Sequence, residues 1–190
     1  MIDRKKIIDE ILPTTAYGCY FRLVEIEDAE FILSLRNNEK LARYINRTSS
    51  KLEDQINWLK EYKIREKEGK DLYFMCLKED KKTRLGLNRL YDISGDICEY
   101  GSWLYGPEAV SNEAVLGDLF IKSLAYEKLG FKTLTMSTMK KNISVMRYTK
   151  SFNPRFIKED EISEYFELEY DDWDAQRKKY LKIFLKEDKK

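Results

Sequence analysis

The 190 residues of this chain include no histidine. Any proton transfer must therefore use carboxylates, tyrosines, lysines or water. The absence excludes Ser-His-Asp and Cys-His nucleophiles, and the zinc and haem sites that depend on histidine. Glu99 lies in an otherwise apolar run, ICEYGSWLY, and such surroundings suit a carboxylate to act as a general base. The alternative is a solvated glutamate at the start of a strand, paired with an Arg or Lys. Glu99 is therefore our candidate catalytic base.

Basic residues are segregated in the third quarter of the sequence. Positions 128–158 hold eight of them and no Asp or Glu, although the whole chain carries 35 Lys and Arg against 34 Asp and Glu. This segregation predicts an anionic ligand, and the alternative is a solvated surface balanced by the acidic stretch 159–174. The eight residues are Lys128, Lys132, Lys140, Lys141, Arg147, Lys150, Arg155 and Lys158.

The overall charge and the cysteines indicate the environment and the class of partner. A net charge of +1 gives no drive towards nucleic acid or a membrane surface, so neither is expected as a partner. Three separated cysteines without a CxxC pair are typical of reduced thiols. No apolar run approaches the ~20 residues of a membrane span. We therefore expect a cytoplasmic protein.

Two periodicities alternate along the chain and define the elements that must position these groups. Residue alternation and short apolar runs predict strands at 20–26, 72–77, 84–91, 97–105, 132–137, 155–157 and 165–170. Helical spacing predicts helices at 2–12, 28–38, 50–67, 113–129, 143–151 and 172–186. This order favours a single α/β domain with a mixed central sheet and flanking helices. We expect that domain at 19–170, an N-terminal helical extension at 1–18 and a C-terminal helix at 171–190.

Four segments, in this order, resemble the GNAT acetyltransferase family. YFRLVEIEDAEFILSLRN (20–37) is similar to the family's first strand and helix, and EYGSWL (99–104) to the strand written EiGywl in its ribosomal-protein branch. AYEKLGF (125–131) is similar to the end of the central helix, and 142–152 to the segment NxxAxrLYekLGF. The resemblance implies a GNAT-like fold and direct transfer of an acetyl group from acetyl-CoA to an amine, without a metal.

The resemblance also implies where the cofactor lies. In the family, pantetheine pairs with backbone in the gap between two splayed parallel strands, which here would be 97–105 and 132–138, with Gly101 near the bulge. Backbone N–H groups of Trp103, Leu104 and Tyr105 would then bind the cofactor and polarise its carbonyl group.

The cofactor loop of the family, Q/R-x-x-G-x-G/A, presents backbone N–H groups to the pyrophosphate at a helix N-terminus. Anchored on the helix, the register puts the two glycine positions on Asn112 and Ala114. The expected cofactor contacts are therefore Ser111, Asn112, Glu113 and Ala114. Asn tolerates left-handed backbone angles. Counting forward from Pro107 instead moves the two glycine positions one residue later.

This loop also departs from the family pattern. Ala109 stands where the pattern has Arg or Gln, and Glu113 would face an anionic ligand. Weaker CoA binding, or none, is therefore the alternative for this loop.

The helix at 143–151 carries the remaining family positions. The resemblance implies a tyrosine general acid here, but the register places Thr149 at that position and Tyr148 one residue earlier, about 100° around the helix. Tyr148 is therefore either the catalytic acid or a core aromatic residue. Asn142 is expected to contact the cofactor, to cap the helix, or to do both, and Arg147 is expected to contact the cofactor.

LRN at 35–37, followed by QINWL at 55–59, resembles the subgroup that acetylates amino sugars on nucleotide carriers. Arg36, Asn37 and Tyr44 are the expected substrate contacts, because Arg is the natural bidentate partner of a diphosphate. Three more residues extend this set. Arg43 is a second candidate cation, and the rings of Trp58 and Tyr105 are candidates for stacking on a base or sugar.

The function indicated is an acetyl-CoA-dependent N-acetyltransferase acting on a small-molecule amine, with a nucleotide-linked amino sugar as the leading substrate. The alternatives are a protein N-terminal acetyltransferase and a catalytically degenerate GNAT-shaped CoA-binding or scaffold domain. No metal is expected, and a homodimer is an open option.

Overall fold

The computed structural model describes residues 2–46, 48–110 and 112–185. The helices are α1 (Arg4–Ile11), α2 (Ala29–Asn37), α3 (Leu52–Lys67), α4 (Glu113–Ser123, continued by a π-helical turn at Leu124–Lys128), α5 (Ile143–Ser151) and α6 (Tyr170–Phe184), with short 3-10 turns at Ile26–Asp28 and Ala42–Tyr44. The strands are β1 (Thr14–Ala16), β2 (Cys19–Leu23), β3 (Leu72–Lys78), β4 (Arg84–Ser94), β5 (Ile97–Tyr105), β6 (Thr133–Met139), β7 (Arg155–Glu159) and β8 (Ser163–Glu169).

The strands form one mixed sheet in the order β1-β2-β3-β4-β5-β6-β8-β7. Neighbouring strands are antiparallel except β5 and β6, which are parallel and joined through α4. The sequence of β3, LYFMCLK, does not alternate between apolar and polar residues, because both faces of the strand are buried. Leu72, Phe74 and Cys76 belong to the core that includes residues of α1, α4 and α6, whereas the residues between them pack against α2 and α3. Helices therefore cover both faces, and the predicted α/β fold with flanking helices is confirmed.

The parallel strands separate soon after they begin to pair. Their pairing runs from Ile97↔Thr133 to Glu99↔Thr135. Beyond that point β5 continues along β4, and β6 continues along β8 to Met139. The structure therefore contains the splayed gap that the family resemblance implies, and Glu99 lies where the gap opens.

The bulge in β5 lies next to Gly101, as the resemblance implies. Leu87 pairs with Leu104 and Arg89 with Gly101, which leaves an extra residue on β5. Ser102 adopts the left-handed backbone conformation, with φ of 50°, as the extra residue of a bulge often does. Gly101 serves a different purpose, because a Cβ there would lie 2.9 Å from the Tyr91 hydroxyl. A side chain at position 101 would therefore displace the Tyr91 hydroxyl.

The terminal segments are integral to the sheet and its packing. The predicted helical extension at 1–18 also holds the edge strand β1, and Ile8 of α1 is fully buried. A three-residue strand is too short to show a period of two, so the sequence did not reveal β1. At the other end α6 begins at Tyr170 and buries Trp173. Within the described ranges, no helix combines the length and the apolar character needed to cross a bilayer.

Candidate functional site

A cavity of about 650 Å³ occupies the gap between β5 and β6. We call its two ends the acceptor end and the helix end. The acceptor end is lined by α2, α3, the segment between them, β3 and β4, through residues including Ile32, Arg36, Tyr44, Trp58, Tyr73 and Arg89. The helix end is lined by α4 and α5, through Asp118, Lys122, Asn142, Val145, Tyr148 and Thr149. Glu99 lies between them.

Glu99 is held by a tyrosine on the neighbouring strand. The two residues are directly opposite in the β4–β5 register, and Tyr91 Oη donates a hydrogen bond of 2.6 Å to Glu99 Oε1. Burial, and then the hydrogen bond to Glu99, raise the pKa of Tyr91 above its ordinary value, so the phenol keeps its proton and remains a donor. Within the part of the chain that the structure describes, the partner of Glu99 is thus a tyrosine in the cavity wall, whereas the solvated alternative expected an Arg or Lys.

Tyr148 lines the cavity and also packs against aromatic rings. Its ring centroid lies 5.0 Å from that of Trp103 and 5.1 Å from that of Phe152. Its hydroxyl donates to Asp118 Oδ2 at 2.6 Å. Burial, and then the charge of Asp118, hold its pKa well above the ordinary value. Thr149, the position that the register favoured, is buried on the cavity wall with Oγ1 3.4 Å from that of Thr138.

Asp118 and Lys122 form a buried ion pair that the sequence analysis missed. Their side chains are 1% and 4% exposed, and Lys122 Nζ lies 2.9 Å from Asp118 Oδ1. Only the contact with Oδ2, at 3.1 Å, has hydrogen-bond geometry, so charge alone holds Oδ1. The ammonium group also faces the rings of Tyr100 and Phe152, at 4.6 and 4.9 Å. A spacing of four residues is typical of a solvated helix pair. The residues around Asp118 and Lys122 in the sequence are mostly apolar, and this was the signal that the pair is buried and not solvated.

Tyr105 cannot stack on a substrate, which corrects that part of the prediction. Its hydroxyl donates to the fully buried Asn88, at 2.8 Å. Its ring fills a slot left by two glycines: a Cβ on Gly86 would lie 2.3 Å from the ring, and a Cβ on Gly117 1.9 Å from the hydroxyl. The side chain therefore joins β4, β5 and α4. Backbone contacts of residues 103–105 with a cofactor stay a prediction.

A carboxylate of the cofactor loop accepts a hydrogen bond from a backbone N–H group of the same loop. Glu113 accepts a hydrogen bond from the backbone N–H of Val110 at 2.7 Å. Asn112 has φ of −110°, not the left-handed angle expected for the first glycine position. Trp103 Nε1 donates to the Ala114 carbonyl at 3.0 Å and so ties β5 to the start of α4. Ser111, the other expected contact, lies outside the described residues.

Replacing Glu113 by glutamine should strengthen acetyl-CoA binding. The amide oxygen can still accept the Val110 N–H, while the charge that opposes a pyrophosphate is removed. We expect the Kd to fall about 3- to 10-fold, which corresponds to ~1 kcal/mol of lost repulsion in a partly solvated site. Isothermal titration calorimetry measures it, with Glu108→Gln in the preceding exposed turn as the control. An unchanged Kd would show that the pyrophosphate is bound elsewhere.

The basic run is distributed over several surfaces. Its ion pairs with acidic residues are Lys132–Asp96, Lys140–Glu159, Lys150–Glu164 and Arg155–Glu167. Three of these four acids come from the stretch at 159–174, as the solvated-surface alternative requires. Four of the eight basic residues are thus paired with acids, three of which lie on β7 and β8, and an anionic ligand for the run stays a prediction.

The two remaining family positions on α5 differ in location. Asn142 caps the helix by accepting from the Val145 N–H at 3.3 Å, and it also lines the cavity. Arg147 is exposed and lies outside the cavity lining, so its contact with a cofactor stays a prediction.

The expected substrate residues are brought together in part. Arg36 and Tyr44 line the acceptor end, whereas Asn37 is exposed and does not. Arg36 is oriented by hydrogen bonds of 3.0 Å to Thr48 Oγ1 and to the Asn46 carbonyl. The structure adds Arg89, which the sequence did not indicate because an arginine within a strand gives no sign of the face to which it points.

Comparison with known proteins identifies the family and the fold. The family model described as "Acetyltransferase (GNAT) domain" matches residues 19–155. Among solved structures, the chain is similar to apo FdhC, "a nucleotide-linked sugar GNAT", at 30% identity and a TM-score of 0.79, over 89% of this chain and 96% of that one. A GCN5-related N-acetyltransferase from Brucella melitensis, at 14% identity and a TM-score of 0.70, covers 90% of this chain and 84% of its own. The ribosomal-protein-S5-alanine acetyltransferase from Vibrio fischeri, at 14% identity and a TM-score of 0.65, covers 86% and 99%. These last two likenesses show the fold alone. A search of curated proteins finds no match.

Proposed function

Because the chain belongs to the GNAT acetyltransferase family, we propose that it transfers the acetyl group of acetyl-CoA to the amine of a nucleotide-linked amino sugar. It is an N-acetyltransferase by family, and the fold generally uses acetyl-CoA. The acceptor is the part that needs its own argument. The observation that carries it is the acceptor end of the cavity, which combines arginines with aromatic rings.

Arg36 and Arg89 supply the positive charge of the acceptor end. The Arg89 guanidinium is 18% exposed and is fixed by Asp71, through Nε at 2.7 Å and Nη2 at 2.5 Å. Arg65 binds the same carboxylate at 3.0 Å. Arg65 and Arg89 carry two positive charges against the single charge of Asp71. Asp54 of α3 also lines the cavity. Arginine donors bind phosphate groups through paired, charge-assisted hydrogen bonds.

The rings of Tyr44 and Trp58 line the same end. Trp58 is supported by parallel stacking on Tyr62, with centroids 5.9 Å apart. The Arg89 and Arg65 guanidinium groups also lie over the Trp58 ring, at 4.9 and 5.4 Å from its centroid. Tyr44 is therefore the ring of this pair on which we expect a flat base to stack. Phosphate charge and a stacking surface together favour a nucleotide carrier over a free sugar, and the similarity to a nucleotide-linked sugar GNAT supports the same substrate class.

The chemistry proposed for the site uses the residues along the gap. Acetyl-CoA supplies the activated acyl group when bound. Glu99, at the opening of the gap, accepts the proton that the acceptor ammonium must lose before its nitrogen attacks. Tyr148 keeps its phenol proton at neutral pH and is the candidate donor to the leaving thiolate, once its hydroxyl turns from Asp118. Backbone N–H groups of β5 beyond Glu99 are candidates for stabilising the oxyanion.

The proposal is tested by thiol release from acetyl-CoA with a panel of amines. We expect turnover with UDP- or dTDP-linked 4-amino sugars and a kcat/KM at least 100-fold lower with the free amino sugars. Preference for N-terminal peptides would instead support the protein-acetyltransferase alternative. If no amine releases thiol although acetyl-CoA raises the Tm, the degenerate CoA-binding alternative is correct.

Replacing Arg36 by glutamine should raise KM for the nucleotide-linked substrate about 10- to 100-fold, since hydrogen bonds to charged groups are each worth ~1.5–3 kcal/mol. KM for acetyl-CoA should stay unchanged. Lys40→Gln removes the same charge from an exposed position outside the cavity and serves as the control. Equal effects of the two substitutions would show that Arg36 acts only through general charge.

A further inference from the structure

The Glu99 carboxylate is the end of a chain of contacts that begins at the buried Asp71. We propose that Tyr91 is a positioning residue for Glu99, and that Arg89, anchored by Asp71, fixes Tyr91 in turn. The inference rests on the proposed role of Glu99 as the base and extends that role to three residues of the adjoining sheet.

The first link is between Tyr91 and Glu99. The hydrogen bond of 2.6 Å joins residues that face each other across β4 and β5. It engages one carboxylate oxygen, Oε1, and leaves Oε2 for the cavity. A carboxylate held at one oxygen by a rigid donor has a fixed plane, so its second oxygen is directed at one place in the gap. General-base catalysis depends on this geometry first.

The second link fixes the ring of Tyr91. The Arg89 guanidinium carbon lies 4.5 Å from the Tyr91 ring centroid and 4.9 Å from that of Trp58. Stacking alone would leave Arg89 free to rotate, but Asp71 binds it through two nitrogens. Asp71 is 2% exposed, and a bidentate pair at such a site fixes the plane of the guanidinium.

The third observation is the absence of a side chain at Gly101. The Tyr91 phenol crosses β5 at this residue, because a Cβ on Gly101 would lie 2.9 Å from Oη and 3.1 Å from Cε1. Gly101 does not need glycine for its backbone angles, since the left-handed residue of the bulge is Ser102. The glycine is therefore explained by the position of Tyr91.

The test is a cycle between Tyr91→Phe and Gly101→Ala, assayed with the amine of the panel that is turned over fastest. Each single variant should lower kcat about 10-fold, with both KM values within about twofold of the wild type. The double variant should be no slower than the slower single variant, because both changes remove the same hydrogen bond. Tyr170→Phe, on the exposed start of α6, should match the wild type.

The outcomes separate this proposal from the one on which it rests. If Glu99→Gln is inactive but Tyr91→Phe has wild-type kcat, the assignment of Glu99 as the base is supported and the positioning role of Tyr91 is overturned. If the double variant Tyr91→Phe, Gly101→Ala lowers kcat by the product of the two single factors, the positioning role is overturned as well. If no amine is turned over, a second cycle decides. Tyr91→Phe and Glu99→Gln should be coupled in urea unfolding by at least a twofold change in the equilibrium constant, and additive effects overturn the link between them.

Discussion

Replacing Glu99 by glutamine is expected to lower kcat by two to three orders of magnitude while the Kd for acetyl-CoA stays within about twofold. A positioned general base contributes typically 10²- to 10⁴-fold. Glutamine keeps the shape of the side chain and can still accept the Tyr91 hydrogen bond, but it cannot accept a proton from the amine. Steady-state kinetics and calorimetric titration measure the two quantities separately.

The control for this prediction is Glu161→Gln, which removes the same charge from an exposed position between β7 and β8. Its kcat should equal that of the wild type. A Glu99→Gln variant with unchanged kcat would falsify the assignment of Glu99 as the base. A loss confined to acetyl-CoA affinity would instead place Glu99 at the cofactor.

Replacing Lys122 by methionine is expected to lower the free energy of unfolding by about 3–5 kcal/mol, the usual cost of removing one partner from a buried ion pair. Asp118 would be left as a buried charge that has lost its cation and still accepts from the Tyr148 hydroxyl. Urea denaturation of the single and double variants measures the effect. Asp118→Asn with Lys122→Met should recover at least half of the loss, because the double variant buries no charge.

Lys128→Met is the matched control, since Lys128 is an exposed lysine of the same helical segment. It should change the free energy of unfolding by less than about 0.5 kcal/mol, as surface substitutions do. Equal losses for the two methionine variants would mean that the Asp118–Lys122 pair is hydrated in solution.

The elements and their order were predictable because each depends on near neighbours in the sequence. A period of two in YFRLVEI and a helical stripe at 113–129 follow from backbone geometry, and both elements are present in the structure. Glu99 was proposed for the same reason, as a carboxylate within an apolar strand, and its place at the cavity agrees with that proposal. The edge strand β1 was missed, because three residues cannot establish a period.

The site required pairings that no local pattern contains. Tyr91 and Glu99 are eight residues apart, but only the β4–β5 register places them opposite each other. Asp71 reaches Arg89 through the antiparallel pairing of β3 and β4. The Asp118–Lys122 spacing looks like a surface pair in the sequence, and only the packing of α4 and α5 around the gap shows that it is buried.

The missing histidine determined, from the sequence alone, that any proton transfer must use carboxylates, tyrosines, lysines or water, since that is a matter of composition. Composition and local periodicity also determined the fold class, because they set which faces of each element are apolar. The tertiary structure decided which residues serve the cavity. It paired four of the eight basic residues with acids, packed the half-buried Tyr105 against β4 and α4 and placed the Tyr91 hydroxyl on Glu99. These outcomes depend on strand register and helix packing, which join residues that are distant in sequence.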